Sequence, residues 1–304
     1  MQILPDAVAC RACRASYQIK NGIPIFLRDA ENVYETDPDR AEFWDEGWEK
    51  RFGAVLGQGT DAITAFRNEF VTMLEKQKYP AVTEIGPSAA GKLLLNIGCG
   101  GGQEGLTFAG YGARYVGVDF SYNAARYTEK LITSLGYKGA CYQAEAERLP
   151  FKNASFDTIY SNGVLHHTPN TPDTLREVHR VLSPNGKAVI GLYATHSLTF
   201  YWYRLRAVLG GNFTAASIEH WLDANTEGEW QTGDRHNHYT RTYNRRQFEA
   251  MVLIAGFKDV RLVQSQIQLK DLPVLGRLFR ILPPSVGDIC IGPFGMMLIA
   301  VCGK

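Results

Sequence analysis

Between residues 91 and 193 the apolar positions switch repeatedly between two periods. Leu93-Leu94-Leu95-Asn96-Ile97 is a short, continuous apolar run, the pattern of a strand covered on both faces. Residues 115–119, 141–145, 156–160 and 187–193 read the same way. Residues 122–135, ended by Gly136, carry helical spacing, as do 173–182, stopped by Ser183-Pro184-Asn185-Gly186. Strands in alternation with helices predict an α/β fold built on a doubly wound, mainly parallel sheet.

Outside this segment the rhythm changes. Asn21-Gly22 is a hairpin signal between two short extended runs. After Asp29 the chain turns charged and aromatic, with Phe43, Trp44, Trp48 and Phe52. Residues 62–78 have helical spacing at Ile63, Phe66, Phe70, Met73 and Leu74, and Gly86-Pro87-Ser88 reads as a linker. Residues 195–246 break the alternation with an aromatic run from Phe200 to Tyr203, with Trp221 and with Trp230. An insertion of this length is expected to act as a lid or substrate cap. A helix at 247–255 and strands at 259–268 and 294–302 complete the chain. The expected division is a hairpin segment at 1–28, a helical extension at 29–90 and one domain at 91–304.

Composition changes this picture little. A chain of 304 residues can bury a sizeable core, and a formal net charge of +1 offers no global attraction to nucleic acid or anionic membrane. The first ten residues lack a basic region followed by an apolar stretch, so no signal peptide is expected. The apolar run at 296–301 is far short of the roughly 20 residues of a membrane helix. A cytoplasmic monomer or homodimer acting on a small molecule, with no nucleic acid and no membrane span, is the expectation.

Chemistry enters where the first strand ends, at Asn96-Ile97-Gly98-Cys99-Gly100-Gly101-Gly102-Gln103-Glu104. Glycines in a strand-to-helix turn adopt backbone angles closed to other residues and let a nucleotide approach the main chain. Asp119 ends the second strand, where an acid can accept from both ribose hydroxyls. Glu145 ends the third, followed by Ala146-Glu147-Arg148-Leu149-Pro150-Phe151, and later come Ser155-Phe156-Asp157 and Asn162-Gly163-Val164-Leu165-His166-His167. A nicotinamide-binding domain usually spaces its glycines G-x-G-x-x-G, whereas this chain has G-x-G-x-G.

Over about residues 91–193 this series resembles the class I S-adenosylmethionine (SAM) dependent methyltransferases, in the type 11-like branch shared with ubiquinone and menaquinone methyltransferases. The resemblance implies a Rossmann-like sheet of seven strands, mostly parallel with an antiparallel last strand. It implies SAM as cofactor and S-adenosylhomocysteine as product. Gly98, Cys99, Gly100 and Gly102 would line the methionine and ribose, Asp119 and Phe120 the ribose, Glu145 and Ala146 the adenine, and Asn162 and Gly163 the methyl donor. Asn96 departs from the family, which usually has an acid there; a neutral amide weakens the contact to the amino group of SAM.

Methyl transfer is an in-line displacement from sulfur, so the protein mainly binds and aligns. A base is needed only when the acceptor must lose a proton. His166, His167 and Tyr239 are the candidates. Tyr203, His238, Arg241 and Tyr243, with His236 nearby, are candidates for closing over the substrate, the arginine toward a carboxylate or phosphate. Cys10-x-x-Cys13 resembles the second half of a zinc ribbon, but four ligands are wanted and the first pair is missing, so zinc is not expected. The alternative to an enzyme is a catalytically inactive methyltransferase-like binding or scaffold protein. A nucleic-acid methyltransferase is disfavoured by the charge.

Overall fold

The computed structural model describes residues 2–304 except 5, 11–14, 28–37, 53–54, 227–238, 266, 269–275, 278–280, 282–289 and 292–293. The chain opens with four short strands: β1 (Gln2–Leu4), β2 (Ala7–Ala9), β3 (Ser16–Lys20) and β4 (Ile23–Pro24). They form one antiparallel sheet in sequential order. Asn21 and Gly22 both have positive φ, 48° and 85°, as the tight turn between β3 and β4 requires. Two helices follow, α1 (Pro38–Phe52) and α2 (Gly59–Lys76). A π turn and a 3₁₀ turn occupy the stretch read as a linker.

The alternating segment folds as its pattern predicts. β5 (Leu93–Ile97), α3 (Gln103–Gly110), β6 (Arg114–Asp119), α4 (Tyr122–Ser134) and β7 (Gly139–Gln143) run in order. Then come β8 (Phe156–Asn162), α5 (Thr171–Val181) and β9 (Leu182–Tyr193). The region at 195–246 contributes α6 (Leu198–Leu209) and α7 (Ala215–Asn225). After α8 (Arg245–Ile254) and β10 (Lys258–Gln264), β11 (Ile267–Gln268) and β12 (Cys290–Ile291) pair with each other, and β13 (Met297–Gly303) ends the chain. The strand expected at 259–268 is thus divided between β10 and the β11–β12 pair.

Among the described residues the main sheet has seven strands in the order β10-β13-β9-β8-β5-β6-β7, with β13 antiparallel to both neighbours and the rest parallel. This is the mixed sheet the resemblance implied. Alternate residues of β5 enter different cores. Leu94 packs with Ile63, Leu106, Phe108 and Leu131 of α2, α3 and α4. Leu95 and Ile97 pack with Leu175, Val178, Phe248 and Val252 of α5 and α8. The edge strand β7 is not left open: Ile25 bridges to Gln143, and the Phe26 N–H donates to the Gln143 carbonyl at 2.8 Å. No helix among the described residues is long and apolar enough to cross a membrane.

Candidate functional site

The order of strands reverses beside β5, and a crevice opens there beyond the carboxyl ends of β5, β6 and β8. The turn after β5 forms its floor. Gly98 has φ +75°, and a Cβ there would lie 2.1 Å from a Val164 methyl group. Gly100 has φ +52°, and a Cβ there would lie 2.5 Å from the Trp48 ring. Both positions therefore require glycine, for backbone angle and for space. The Thr128 hydroxyl donates to the Gly100 carbonyl at 3.0 Å and holds the turn against α4.

Asp119 occupies the end of β6. Its Oδ2 accepts from the Gly100 N–H and its Oδ1 from the Ser121 N–H, both at 2.9 Å. Burial still wins over these bonds, which favour the charged form, and pushes the carboxyl up to about 6. Asp119 is thereby aimed and preorganised while it retains acceptor capacity toward a ligand.

Two cavities meet at this floor. The first is lined by Gly98, Asp119, Phe120, Ala144, Ala146 and Glu147, among others. The second, of about 560 Å³, is lined by Gly100, Gln103, Glu104, Asn162, Tyr193, Phe200, Tyr203 and Arg206, among others. Trp44, Trp48, Gly98, Gly163, Val164 and His167 line both, so the cavities share one wall.

That wall depends on α1. Asp45 accepts from the Ser121 hydroxyl and from the Asn123 N–H at 3.1 Å, capping the start of α4. The Asp45 carbonyl accepts from the Asn123 side chain at 3.2 Å, and Glu49 pairs with Arg126 at 3.3 Å. These contacts set Trp44 and Trp48 over the glycine turn. The sequence showed this aromatic cluster but nothing that tied it to the site, because the tie is a contact between residues more than 70 positions apart. Tyr79 was missed for the same reason: its hydroxyl donates to Asn162 Oδ1.

The structure sorts the other candidates. Gly98, Gly100, Asp119, Phe120, Ala146, Asn162, Gly163, His167 and Tyr203 line the joined cavities. Gly102 lines neither; with φ +81° it is the left-handed N-cap of α3. Cys99 is fully buried, with its backbone N–H on the Val118 carbonyl at 3.0 Å. Asn96 shares the Leu94 face of β5, where its amide donates to the Tyr115 hydroxyl at 3.0 Å, so it does not reach the crevice. Glu145 lies just past β7 and is not among the lining residues, whereas its neighbours Ala146 and Glu147 are.

His166 is fully buried against Tyr193, with ring centroids 3.8 Å apart. Neither of its ring nitrogens has a hydrogen-bond partner among the described residues, and burial holds its pKa well below the usual range. It is a neutral packing residue in this arrangement, not a group facing the cavity. His167 does face the cavity. Its Nδ1 lies 2.7 Å from the Tyr239 carbonyl, and a carbonyl only accepts, so Nδ1 is the donor in that contact.

Tyr239, Arg241 and Tyr243 line a different cavity, with Arg204, Glu219 and Asp223. The Arg241 guanidinium donates to the Thr168 carbonyl at 2.6 Å, and its N–H to the His166 carbonyl at 3.2 Å. The Tyr243 hydroxyl donates to Thr171 at 2.9 Å. These residues brace the 165–171 turn; they do not close over the crevice. His236, His238 and Cys13 lie outside the described residues, and Cys10 is partly buried.

Residues 95–190 match a family model described as a methyltransferase domain. The chain is 33% identical over 98 residues to a sterol 4-C-methyltransferase of Caenorhabditis elegans, covering 32% of this chain and 29% of that protein. It is 31% identical over 125 residues to a ubiquinone biosynthesis O-methyltransferase of Aromatoleum aromaticum, covering 41% and 52%. A tocopherol O-methyltransferase of Arabidopsis thaliana is 22% identical over 64% of this chain and 55% of its own length. The chain thus spans about a third to a half of the curated relatives it matches. Among solved structures, a Haemonchus contortus phosphoethanolamine N-methyltransferase with S-adenosylhomocysteine bound superposes with a TM-score of 0.50 at 16% identity, over 78% of this chain and 52% of that one. This last likeness is one of fold. The matched segment, the sheet order and the glycine turn with its aimed acid together identify residues 95–190 as a class I S-adenosylmethionine-dependent methyltransferase domain.

Proposed function

We propose that the protein transfers a methyl group from SAM to an apolar or ring-bearing small molecule. The observation that carries this reading is the shared wall. A nucleoside held over Asp119 in the first cavity would have its sulfonium end at the glycine turn, where the second cavity begins. That second cavity offers Tyr193, Phe200 and Tyr203 as apolar walls and Arg206 as a cation. The residues present fit the cofactor: the turn admits no side chain at Gly98 or Gly100, and Asp119 is already oriented. The acceptor atom, oxygen, nitrogen or carbon, is left to the substrate. The relatives include both C- and O-methyltransferases.

The test is calorimetric titration of folded, ligand-free protein with SAM, S-adenosylhomocysteine and NAD. Transfer of tritiated methyl to a panel of phenols, quinols and amines follows. The two adenosyl ligands are expected to bind and NAD to fail. Absence of adenosyl binding overturns the reading.

Two expected results belong to this site. Trp48→Ala removes an aromatic face from the wall that both cavities share. It should weaken SAM and S-adenosylhomocysteine binding about tenfold, from loss of roughly 1–2 kcal/mol of stacking and burial. Unchanged affinity in calorimetry would remove α1 from the site. His167, as the base proposed for a hydroxyl acceptor, should matter to rate and not to cofactor binding. His167→Gln is expected to lower kcat for such an acceptor by roughly 10²- to 10⁴-fold. The same variant should bind SAM within about threefold of wild type, because a glutamine can keep the contact to the Tyr239 carbonyl.

A further inference from the structure

The acid that the family usually places at position 96 is absent, and the structure shows that Asn96 does not substitute for it. Its side chain lies on the sheet face beneath α3, with its nitrogen on Tyr115 and its Oδ1 buried without a partner. Helix α3 presses closely on β6 here: a Cβ on Gly105 would lie 3.0 Å from the Tyr115 hydroxyl. A ligand in the crevice cannot reach Asn96 through that packing. Something else must meet a positive charge at the glycine turn.

Glu104 stands in the first turn of α3, two residues past Gly102. It lines the second cavity beside Gly100, Gly101, Gln103 and Asn162, next to the wall shared with the first cavity. Among the described residues its carboxylate pairs with no basic side chain, and its one backbone contact is with its own N–H. A carboxylate in a helix first turn is favoured by the helix dipole, yet burial here raises its pKa to about 7. Its charge is felt by Tyr79, Tyr115 and Tyr160, whose own ionisation it opposes. No cation on these elements offsets it; Arg206 and His167 line the same cavity from α6 and from the 165–167 turn. Glu104 therefore stands at the glycine turn as an acid that no cation of β5 or α3 neutralises, while Arg206 lines the cavity from α6.

We infer that Glu104 supplies the negative charge that holds the α-ammonium group of SAM, a contact that the side chain of position 96 cannot make from the sheet face beneath α3. The inference rests on the methyltransferase reading above. It adds that the acid at this end of the site stands in the first turn of α3. No bond is made or broken: the ammonium donates to the carboxylate, and the pair is ionised in the complex. Burial raises the Glu104 carboxyl to about 7, so its ionisation on binding near that pH releases protons.

The test compares wild type and Glu104→Gln by calorimetry with three ligands: SAM, S-adenosylhomocysteine and 5′-methylthioadenosine, which keeps the thio-nucleoside but lacks the amino-acid part. Titrations run at pH 7 in buffers of different ionisation enthalpy. E104Q is expected to weaken SAM and S-adenosylhomocysteine about 10- to 100-fold and to leave 5′-methylthioadenosine within about twofold. The proton release seen with SAM in wild type should disappear. Retained 5′-methylthioadenosine binding shows that the variant is folded and that the nucleoside site is intact. Wild-type affinity of E104Q for S-adenosylhomocysteine, or equal weakening of all three ligands, overturns the assignment. Failure of wild type to bind any of the three overturns the methyltransferase reading itself.

Discussion

Asp119→Ala is expected to abolish useful binding of SAM, lowering affinity by about a hundredfold or more, while the protein stays folded. Two hydroxyl-to-carboxylate bonds are lost, each worth about 1.5–3 kcal/mol, and a factor of ten is about 1.4 kcal/mol. The effect on stability is smaller because two contributions oppose. Removing the carboxyl leaves the Gly100 and Ser121 N–H groups without their acceptor. It also removes a buried charge that the fold disfavours, since the folded pKa is raised from 3.8 to about 6. A raised pKa means that the folded state binds the proton more tightly than the unfolded chain. Through this group, stability is therefore greatest below 3.8 and declines as pH rises to about 6. The substitution should remove that slope and move Tm by only a few degrees. Binding runs the opposite way: the acceptor is the ionised carboxylate, so wild-type affinity should fall up to about tenfold per unit as pH drops below about 6. Calorimetry from pH 5 to pH 8, with thermal melts alongside, checks both signs. Unaltered affinity in the variant would refute the ribose role.

Gly98→Ala should be almost as severe, by a different physical route. The new Cβ meets Val164 at 2.1, 2.8 and 2.9 Å, and the backbone there has φ +75°. The left-handed conformation costs about 1–2 kcal/mol and overpacking about 1–3 kcal/mol more. The turn or the 162–164 segment must move, and both border the cofactor cavity. Loss of about a hundredfold in affinity is expected, with a measurable drop in Tm. Gly136→Ala is the matched control. It has nearly the same φ, +74°, but nothing within 4 Å of a Cβ, so only the same backbone cost of about 1–2 kcal/mol applies and binding should be unchanged. If the two variants bind alike, steric closure at Gly98 is not what shapes the site.

The fold was largely legible because its signal is local and repeated. A five-residue apolar run such as 93–97 is covered on both faces, and that requirement is written in every position of the run. The ends were less legible. The strand read at 141–145 is found at Gly139–Gln143, and β9 begins at Leu182 and runs through the Ser183-Pro184-Asn185-Gly186 stretch read as a stop. Asn185 adopts φ 63°, and β8 and β9 shift register near their start, so a polar turn sequence is absorbed as an irregular strand opening.

The sequence by itself determined the frame: the order of strands and helices, the glycines of the turn after β5 and the acid at the end of β6. Each of these is a property of a residue and its near neighbours, a backbone angle, a period or a strand end. Only the tertiary structure decided which side chains meet at the crevice. The alternation of β5 turned Asn96 under α3, the packing of Tyr193 buried His166, and the bracing of the 165–171 turn drew Arg241 and Tyr243 away to another cavity. The same packing brought in Trp44, Trp48, Tyr79 and Glu104. Those outcomes depend on contacts between residues well separated in the chain, or on which way one strand faces a helix, and no local pattern carries that information.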